Sequence, residues 1–294
     1  MGSRESAAGS LVLVRHGRTR WNEEGRIIGW EDPPLSDAGR RDAAAAASVV
    51  RGAGLRFPMV CTSAALRCSE TAAVVLEALG AAPGRVVVDW RLNERHFGLL
   101  QGLDRGAVRQ AYGREQVSAW KHDLDAVPPE VPPDDPRHPR HDARFRGVRA
   151  DLLPGAESLA AMAQRVGRCW AERLVPALAA GLDVVVVGHC HSLRVLAQIA
   201  AVAAAGDLGT AAQGVPAGML AANKEAAVGA TAPGHAGGLP APAGELFGSP
   251  GSVVVVDRVA RWWAGPAPVL ADEPARQPAP TVAGPGRAGA RSAG

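Results

Sequence analysis

The stretch LVLVRHGRTRWN, residues 11–22, decides the fold, because four apolar residues run directly into Arg15, His16 and Gly17. An unbroken apolar run without alternation is typical of a strand that is covered on both faces of a sheet. Residues that follow such a strand lie at its carboxyl end, where open α/β sheets bind ligands. A glycine and a helix start beyond the histidine would add backbone N–H groups that favour an anion. The stretch therefore predicts a histidine beside an anion site.

The same alternation of strands and helices extends along the chain. Further apolar runs predict strands at residues 58–61, 86–89, 183–188 and 252–257. Apolar residues at helical spacing predict helices at 36–51, 65–79, 157–180 and 192–205. Strands that alternate with helices imply a mostly parallel sheet. The expected fold is an α/β domain of three layers, with the sheet flanked by helices.

Composition predicts one catalytic domain with less ordered additions. We expect a disordered leader at 1–9, a domain at 10–263 with a Gly/Ala/Pro-rich insertion at about 222–251, and a disordered tail at 264–294. Residues 128–141, PPEVPPDDPRHPRH, contain too many prolines for a helix or strand. They predict a long surface loop, and such loops often border the active site in this fold class.

Charge and cysteine usage exclude several classes of protein. The formal net charge of +3 over 294 residues argues against a nucleic-acid binder, and no apolar run is long enough to span a membrane. The four cysteines form no CxxC pair, which favours reduced thiols and a cytoplasmic setting. The sequence His189-Cys190-His191 lacks standard metal-ligand spacing, so we expect no metal.

Polar residues at four predicted strand ends form a set that suits phosphoryl transfer. They are Arg15 with His16, Arg67 shortly after the second strand, Glu94 after the third, and His189 after the fourth. A neutral imidazole is a competent nucleophile, and arginines match phosphate oxygens. A carboxylic acid held beside phosphate charge would have a raised pKa and could protonate the leaving oxygen.

These motifs also resemble a known family in their order and spacing. VRHGRTRWN and GRIIGWEDPPLSDAGRRDA are similar to the opening of the cofactor-dependent phosphoglycerate mutases, within the histidine phosphatase superfamily. TSAALRCSET, WRLNERHFGLLQGL, QVSAWKHDLDAVPPEVPPDDP, PGAESL and VVVVGHCHSLR resemble later segments of that family in the same order. The resemblance covers about residues 10–205 and a last strand near 252–257.

The resemblance implies a role for each matched residue. His16 would carry the phosphoryl group, with Arg15, Arg67 and His189 around it, and Glu94 would be the general acid and base. Substrate contacts would come from Asn22, Gly29, Arg95, His96, Phe97, Arg105, Lys121, His122, Cys190 and His191. The family interconverts 3- and 2-phosphoglycerate in glycolysis and gluconeogenesis and is primed by 2,3-bisphosphoglycerate. It usually needs no metal and often forms dimers or tetramers.

Several positions depart from the family pattern. Ile28 stands where the family usually has Ser or Thr, and Phe97 where it has Tyr. Lys121-His122 replaces two arginines, and Cys190-His191 replaces Gly-Asn. From the resemblance we still expect a small phosphorylated metabolite as the substrate, and phosphoglycerate mutase activity is the leading prediction. Two alternatives are a phosphatase of the same superfamily and a catalytically weak relative that binds phosphorylated ligands.

Overall fold

The computed structural model describes residues 9–55, 58–80, 86–204, 250 and 253–256. The predicted leader, apart from Gly9, lies outside the described residues. So do the predicted insertion at 222–251, apart from Pro250, and the tail at 264–294. No helix within the described ranges is long and apolar enough to cross a membrane.

The described residues form a sheet of five strands, all of which the sequence predicts. The strands are β1 (Leu11–Arg15), β2 (Met59–Thr62), β3 (Val86–Val88), β4 (Val184–Gly188) and β5 (Val253–Val256). Their order is β3-β2-β4-β1-β5, and β5 pairs antiparallel with β1 while the other neighbours are parallel. The mostly parallel sheet that the alternating pattern predicts is confirmed.

Helices of very different lengths connect the strands. They are α1 (Arg20–Glu23), α2 (Asp37–Gly52), α3 (Leu66–Leu79), α4 (Arg105–His122), α5 (Leu159–Cys169), a π-helical turn (Trp170–Leu174), α6 (Val175–Ala179) and α7 (Cys190–Ala204). Single 3-10 turns occupy Trp90–Leu92, Gly98–Leu100, Pro139–His141, Ala143–Phe145 and Ala150–Leu152. Helix α2 begins where predicted, because the Ser36 hydroxyl accepts a hydrogen bond from the Gly39 N–H at 3.1 Å.

Alternate residues of β1 enter two different hydrophobic cores. Leu11 and Leu13 pack with α5, the π-helical turn, α6 and α7 on one face of the sheet. Val12 and Val14 pack with α2 and α3 on the other face. All four side chains are fully buried, which explains the unbroken apolar run that a strand inside three layers requires. The predicted three-layer α/β fold is confirmed.

Two local predictions were incomplete. Helix α4 was missed, because only Val108 and Trp120 of its side chains are buried and Gly113, at φ +79°, kinks it in the middle. The segment 128–141 is not simply a surface loop, since Val131 and His138 are 4% and 3% exposed. It packs along the 3-10 turn at Gly98–Leu100, where the Leu99 N–H donates to the Pro129 carbonyl at 2.8 Å.

Candidate active site

Parallel pairing of β1 with β4 brings two histidines together. Arg15 pairs with Gly188 in the strand register, so His16 and His189 both follow directly at the carboxyl edge. The backbone N–H of His16 donates to the Gly188 carbonyl at 3.1 Å, which extends the pairing by one residue. Their imidazole rings lie edge to face, with centroids 5.1 Å apart. The two imidazoles that the sequence predicts at strand ends therefore share one site.

The hydrogen bonding of His16 leaves one ring nitrogen ready to attack. Its Nδ1 lies 2.7 Å from the Gly17 carbonyl oxygen, and a carbonyl can only accept, so Nδ1 carries the proton. Nε2 then has the lone pair in the neutral ring. Burial, with the charges of Arg67 and Arg15, lowers the pKa of His16 to about 3. His16 is therefore neutral and nucleophilic at pH 7.

Arg67 is held by backbone carbonyls beside these rings. It is 1% exposed, and its guanidinium donates to the carbonyls of Glu31 at 2.8 Å and Gly29 at 2.9 Å. The same Nη2 lies 3.2 Å from Nδ1 of His189. Because a guanidinium only donates, Nδ1 of His189 accepts. The fixed cation suits the charge that a transferring phosphoryl group spreads over its oxygens.

Gly29 is needed for this arrangement because of its backbone. It has φ +58°, and a Cβ there would lie 2.0 Å from the side-chain oxygen of Gln101. That oxygen accepts from the Trp30 N–H at 2.8 Å and the Phe97 N–H at 3.2 Å, so it is not free to move away. Because Gly29 has no side chain, its backbone can lie close to Gln101. Gly29 thus links Arg67, which donates to its carbonyl, to the segment that contains Phe97.

Glu94 lies at the same edge, and its carboxyl group pairs with His191. Its Oε1 accepts from the Arg95 N–H at 2.9 Å and lies 3.1 Å from Nδ1 of His191. Burial alone would raise the pKa of Glu94, but His191 and His189 lower it well below its usual range. The raised pKa that we expect beside phosphate charge stays a prediction, and the sequence did not indicate that His191 pairs with this carboxyl group.

A cavity of about 930 Å³ joins these groups to a basic rim and an apolar wall. The predicted residues that line it are Arg15, His16, Asn22, Gly29, Arg67, Glu94, Phe97, Arg105, Lys121, His122, His189, Cys190 and His191. Apolar walls come from Ile27, Ile28, Leu100, Val108, Val117, Trp120, Leu124, Leu159, Met162 and Val195. The cavity lining includes no residue of the segment 128–141, so this loop does not border the site as we expected.

Two predicted substrate contacts lie elsewhere. Arg95 is fully buried and donates to the backbone carbonyls of Glu157 at 2.7 Å, Ala126 at 2.8 Å and Trp120. His96 is also fully buried, accepts from the Gly98 N–H at 3.0 Å and packs against Trp30. Neither lines the cavity. Their direct contact with substrate was a wrong prediction, because both side chains point into the protein and brace the segment that contains Glu94.

Three residues near the site were missed. The Ser63 hydroxyl lies 2.9 Å from Nε2 of His189, which donates this bond because its Nδ1 accepts from Arg67. Arg109 lines the cavity one helical turn after Arg105, and Arg194 lines it from α7. Recognition of α4 as a helix would have indicated Arg109, since residues at i and i+4 share a helix face. Ser63 was visible at a strand end, although nothing in the sequence showed its contact with His189.

No group of three His, Cys, Asp or Glu side chains in the described ranges could hold a metal ion. All four cysteines are unpaired, and Cys61, Cys68 and Cys169 are buried. Burial raises the pKa of Cys68 to about 12, so this thiol beside His189 is not a nucleophile at pH 7. Burial and the charge of Glu94 also raise the pKa of Cys190, so His16 is the group at the sheet edge that is ready to attack at pH 7.

Comparisons with known proteins agree with this geometry. The family model of the histidine phosphatase superfamily (branch 1) matches residues 11–152. A 2,3-bisphosphoglycerate-dependent phosphoglycerate mutase of Nitratidesulfovibrio vulgaris strain Hildenborough is 45% identical over 186 residues, which cover 63% of this chain and 74% of that protein. The protein of the same name from strain Miyazaki F is 42% identical, over 64% of this chain and 75% of its own.

A solved structure extends the likeness to a phosphatase. A mycobacterial glucosyl-3-phosphoglycerate phosphatase in complex with VO3 superposes with a TM-score of 0.50 at 28% identity. The match covers 66% of this chain and 81% of that one. Sequence relatives named as mutases and a structural relative named as a phosphatase share one fold and one superfamily. The chain that pairs His16 with His189 at the edge of its sheet belongs to the histidine phosphatase superfamily.

Proposed function

We propose that this protein is a phosphoglycerate mutase that interconverts 3- and 2-phosphoglycerate through phosphorylated His16. The observation that carries the proposal is the neutral His16, buried beside Arg67 and His189 at one end of a cavity with a basic rim. The 45% identity with a 2,3-bisphosphoglycerate-dependent phosphoglycerate mutase supports the choice of substrate. Arg105, Arg109 and Lys121 on α4 would then bind the substrate groups that lie away from His16.

The residues present fit a doubly phosphorylated primer. One phosphoryl group would lie against His16 and Arg67, and the second would lie toward the cations of α4 and Asn22. These guanidinium and ammonium groups are suitable donors for phosphate and carboxylate oxygens. Bound 2,3-bisphosphoglycerate would supply the phosphoryl group that first loads His16.

The chain's own groups account for the transfer. Nε2 of His16 attacks phosphorus while Nδ1 keeps its hydrogen bond to the Gly17 carbonyl, so the ring stays oriented as its charge changes. Arg15 and Arg67 stabilise the negative charge on the phosphoryl oxygens, and His189 donates to them from Nε2 in place of its bond to the Ser63 hydroxyl. Glu94 moves the proton to the leaving oxygen and takes it back from the attacking oxygen when the phosphoryl group returns.

Hydrolysis by the same site is the second candidate function. The specific observation in its favour is the apolar wall of the cavity, where Ile28 and Phe97 carry no hydroxyl group. A mutase must retain its intermediate while the intermediate turns, which requires polar contacts away from the phosphoryl group. A volume of about 930 Å³ also exceeds the need of a three-carbon acid, so bulkier phosphomonoesters would fit. Water would then take the phosphoryl group from His16.

One incubation separates the two functions. The protein is mixed with 3-phosphoglycerate and a trace of 2,3-bisphosphoglycerate, and 2-phosphoglycerate and free phosphate are measured over time. Formation of 2-phosphoglycerate well above free phosphate is the expected result. Free phosphate as the main product would support the phosphatase. Absence of both products, with no phosphate on His16, would refute both functions.

A further inference from the structure

The strongest unassigned feature is the contact between His191 and Glu94. His191 is the second residue of α7, and Glu94 lies between the 3-10 turns Trp90–Leu92 and Gly98–Leu100. Nδ1 of His191 lies 3.1 Å from Oε1 of Glu94, and the two side chains are 27% and 12% exposed. The other side of the imidazole meets the Phe97 ring edge to face at 5.9 Å. The ring is therefore fixed with one nitrogen on the carboxylate.

The contacts of Glu94 leave open where it obtains the proton that it donates to the leaving oxygen. The charged and titratable groups that interact with it electrostatically are His16, Arg67, Cys68, Arg95, His189, Cys190 and His191. The ionised carboxylate accepts from the Arg95 N–H and from Nδ1 of His191, so it holds no proton of its own at rest. Yet an alkoxide leaving group must be protonated when His16 is phosphorylated.

We infer that His191 is a positioning residue that stores the transferable proton for Glu94, so that the pair carries one proton between them. This role rests on the proposed phosphoryl transfer to His16. When the bond from Nε2 to phosphorus forms, the bond from phosphorus to the leaving oxygen breaks. Glu94 takes a proton from Nδ1 of His191 and passes it to that oxygen, so the carboxylate stays ionised and His191 is left as the neutral tautomer. In the second half-reaction the attacking hydroxyl returns a proton to Glu94 and then to Nδ1.

The family that the sequence resembles usually has asparagine at position 191, so His191→Asn is an informative substitution. An amide can donate a hydrogen bond to Glu94 but has no proton that it can transfer, whereas imidazole titrates near neutral pH. His191→Asn therefore keeps the contact and removes the proton store. The matched control is His141→Asn, which removes an exposed imidazole that lies outside the cavity lining.

The test compares two phosphomonoesters in rapid-quench phosphorylation of His16. p-Nitrophenyl phosphate has a leaving group that needs no proton, whereas an alkyl phosphate such as 3-phosphoglycerate does. His191→Asn should slow phosphorylation by the alkyl ester at least tenfold and change that by p-nitrophenyl phosphate less than about threefold. The alkaline limb of the alkyl reaction should also move to lower pH. His141→Asn should leave the rate of phosphorylation by either ester unchanged.

Each of four results would overturn the assignment. Equal slowing of both esters in His191→Asn would show a merely structural contact, and no slowing of the alkyl ester would show that Glu94 obtains its proton elsewhere. Added imidazole should rescue the alkyl rate of His191→Ala, and failure to do so would also count against the proton store. If neither ester phosphorylates His16, the proposed phosphoryl transfer fails together with this role. If only phosphoglycerate fails to react, another alkyl phosphate replaces it and the test stands.

Discussion

Replacement of His16 by asparagine tests whether the surroundings of His16 in the folded protein keep this histidine neutral. The folded protein holds the pKa of His16 at about 3 by burial and by the charges of Arg67 and Arg15, while an unfolded histidine titrates at 6.5. As the pH falls below 6.5, His16 gains a proton in the unfolded chain but stays neutral in the folded protein. The free energy of unfolding therefore decreases as the pH is lowered. At 1.36 kcal/mol per pKa unit, His16 alone lowers the free energy of unfolding by about 2 kcal/mol between pH 7 and pH 5.

Urea unfolding of parent and His16→Asn at pH 7 and pH 5 measures this difference. The amide can still donate to the Gly17 carbonyl but cannot take a proton, so the loss of stability toward pH 5 should be about 2 kcal/mol smaller in the variant. His141→Asn is the control, because His141 is an exposed histidine on a 3-10 turn and its replacement should leave the pH dependence unchanged. An identical pH dependence in parent and His16→Asn would refute a buried, neutral His16.

Three further predictions concern turnover and the chain ends. Glu94→Gln should keep ligand binding and lower turnover of alkyl phosphates by about 10²–10⁴-fold, as kcat and KM will show; a near-normal kcat would require another acid. The double variant Ile28→Ser with Phe97→Tyr should raise the ratio of mutase to phosphatase rate, since each new hydrogen bond to a charged group contributes about 1.5–3 kcal/mol; an unchanged ratio would show these positions to be neutral. Removal of residues 270–294 should leave Tm and activity nearly unchanged, and a large fall in Tm would show that this segment docks.

The strands and the residues that meet at the edge of the sheet were predictable because their signals are local. A strand buried on both faces needs an unbroken apolar run, and Leu11, Val12, Leu13 and Val14 supply one just before His16. The register of β1 against β4 then follows from burial, since a shift by one residue would move each side chain to the other core. Helix α4 was not predictable by the same reasoning, because its exposed surface carries no apolar stripe.

The roles of Arg95, His96 and His191 depend on which way side chains point across the fold. Arg95 and Glu94 are neighbours in sequence, yet one binds backbone carbonyls inside the protein and the other faces the cavity. No residue pattern within one segment reports that difference. The contact between His191 and Glu94 joins positions 97 residues apart, and it lowers the pKa of the carboxyl group.

The central claim is that the phosphoryl group is carried on His16. The most direct measurement is to incubate the protein with ³²P-labelled 2,3-bisphosphoglycerate, quench, and map the label by peptide mass spectrometry. The account predicts one acid-labile and base-stable phosphate on the peptide that contains His16, absent from His16→Ala and present in the control variant His141→Asn. Label that persists in His16→Ala, or that lies on another residue, would contradict it.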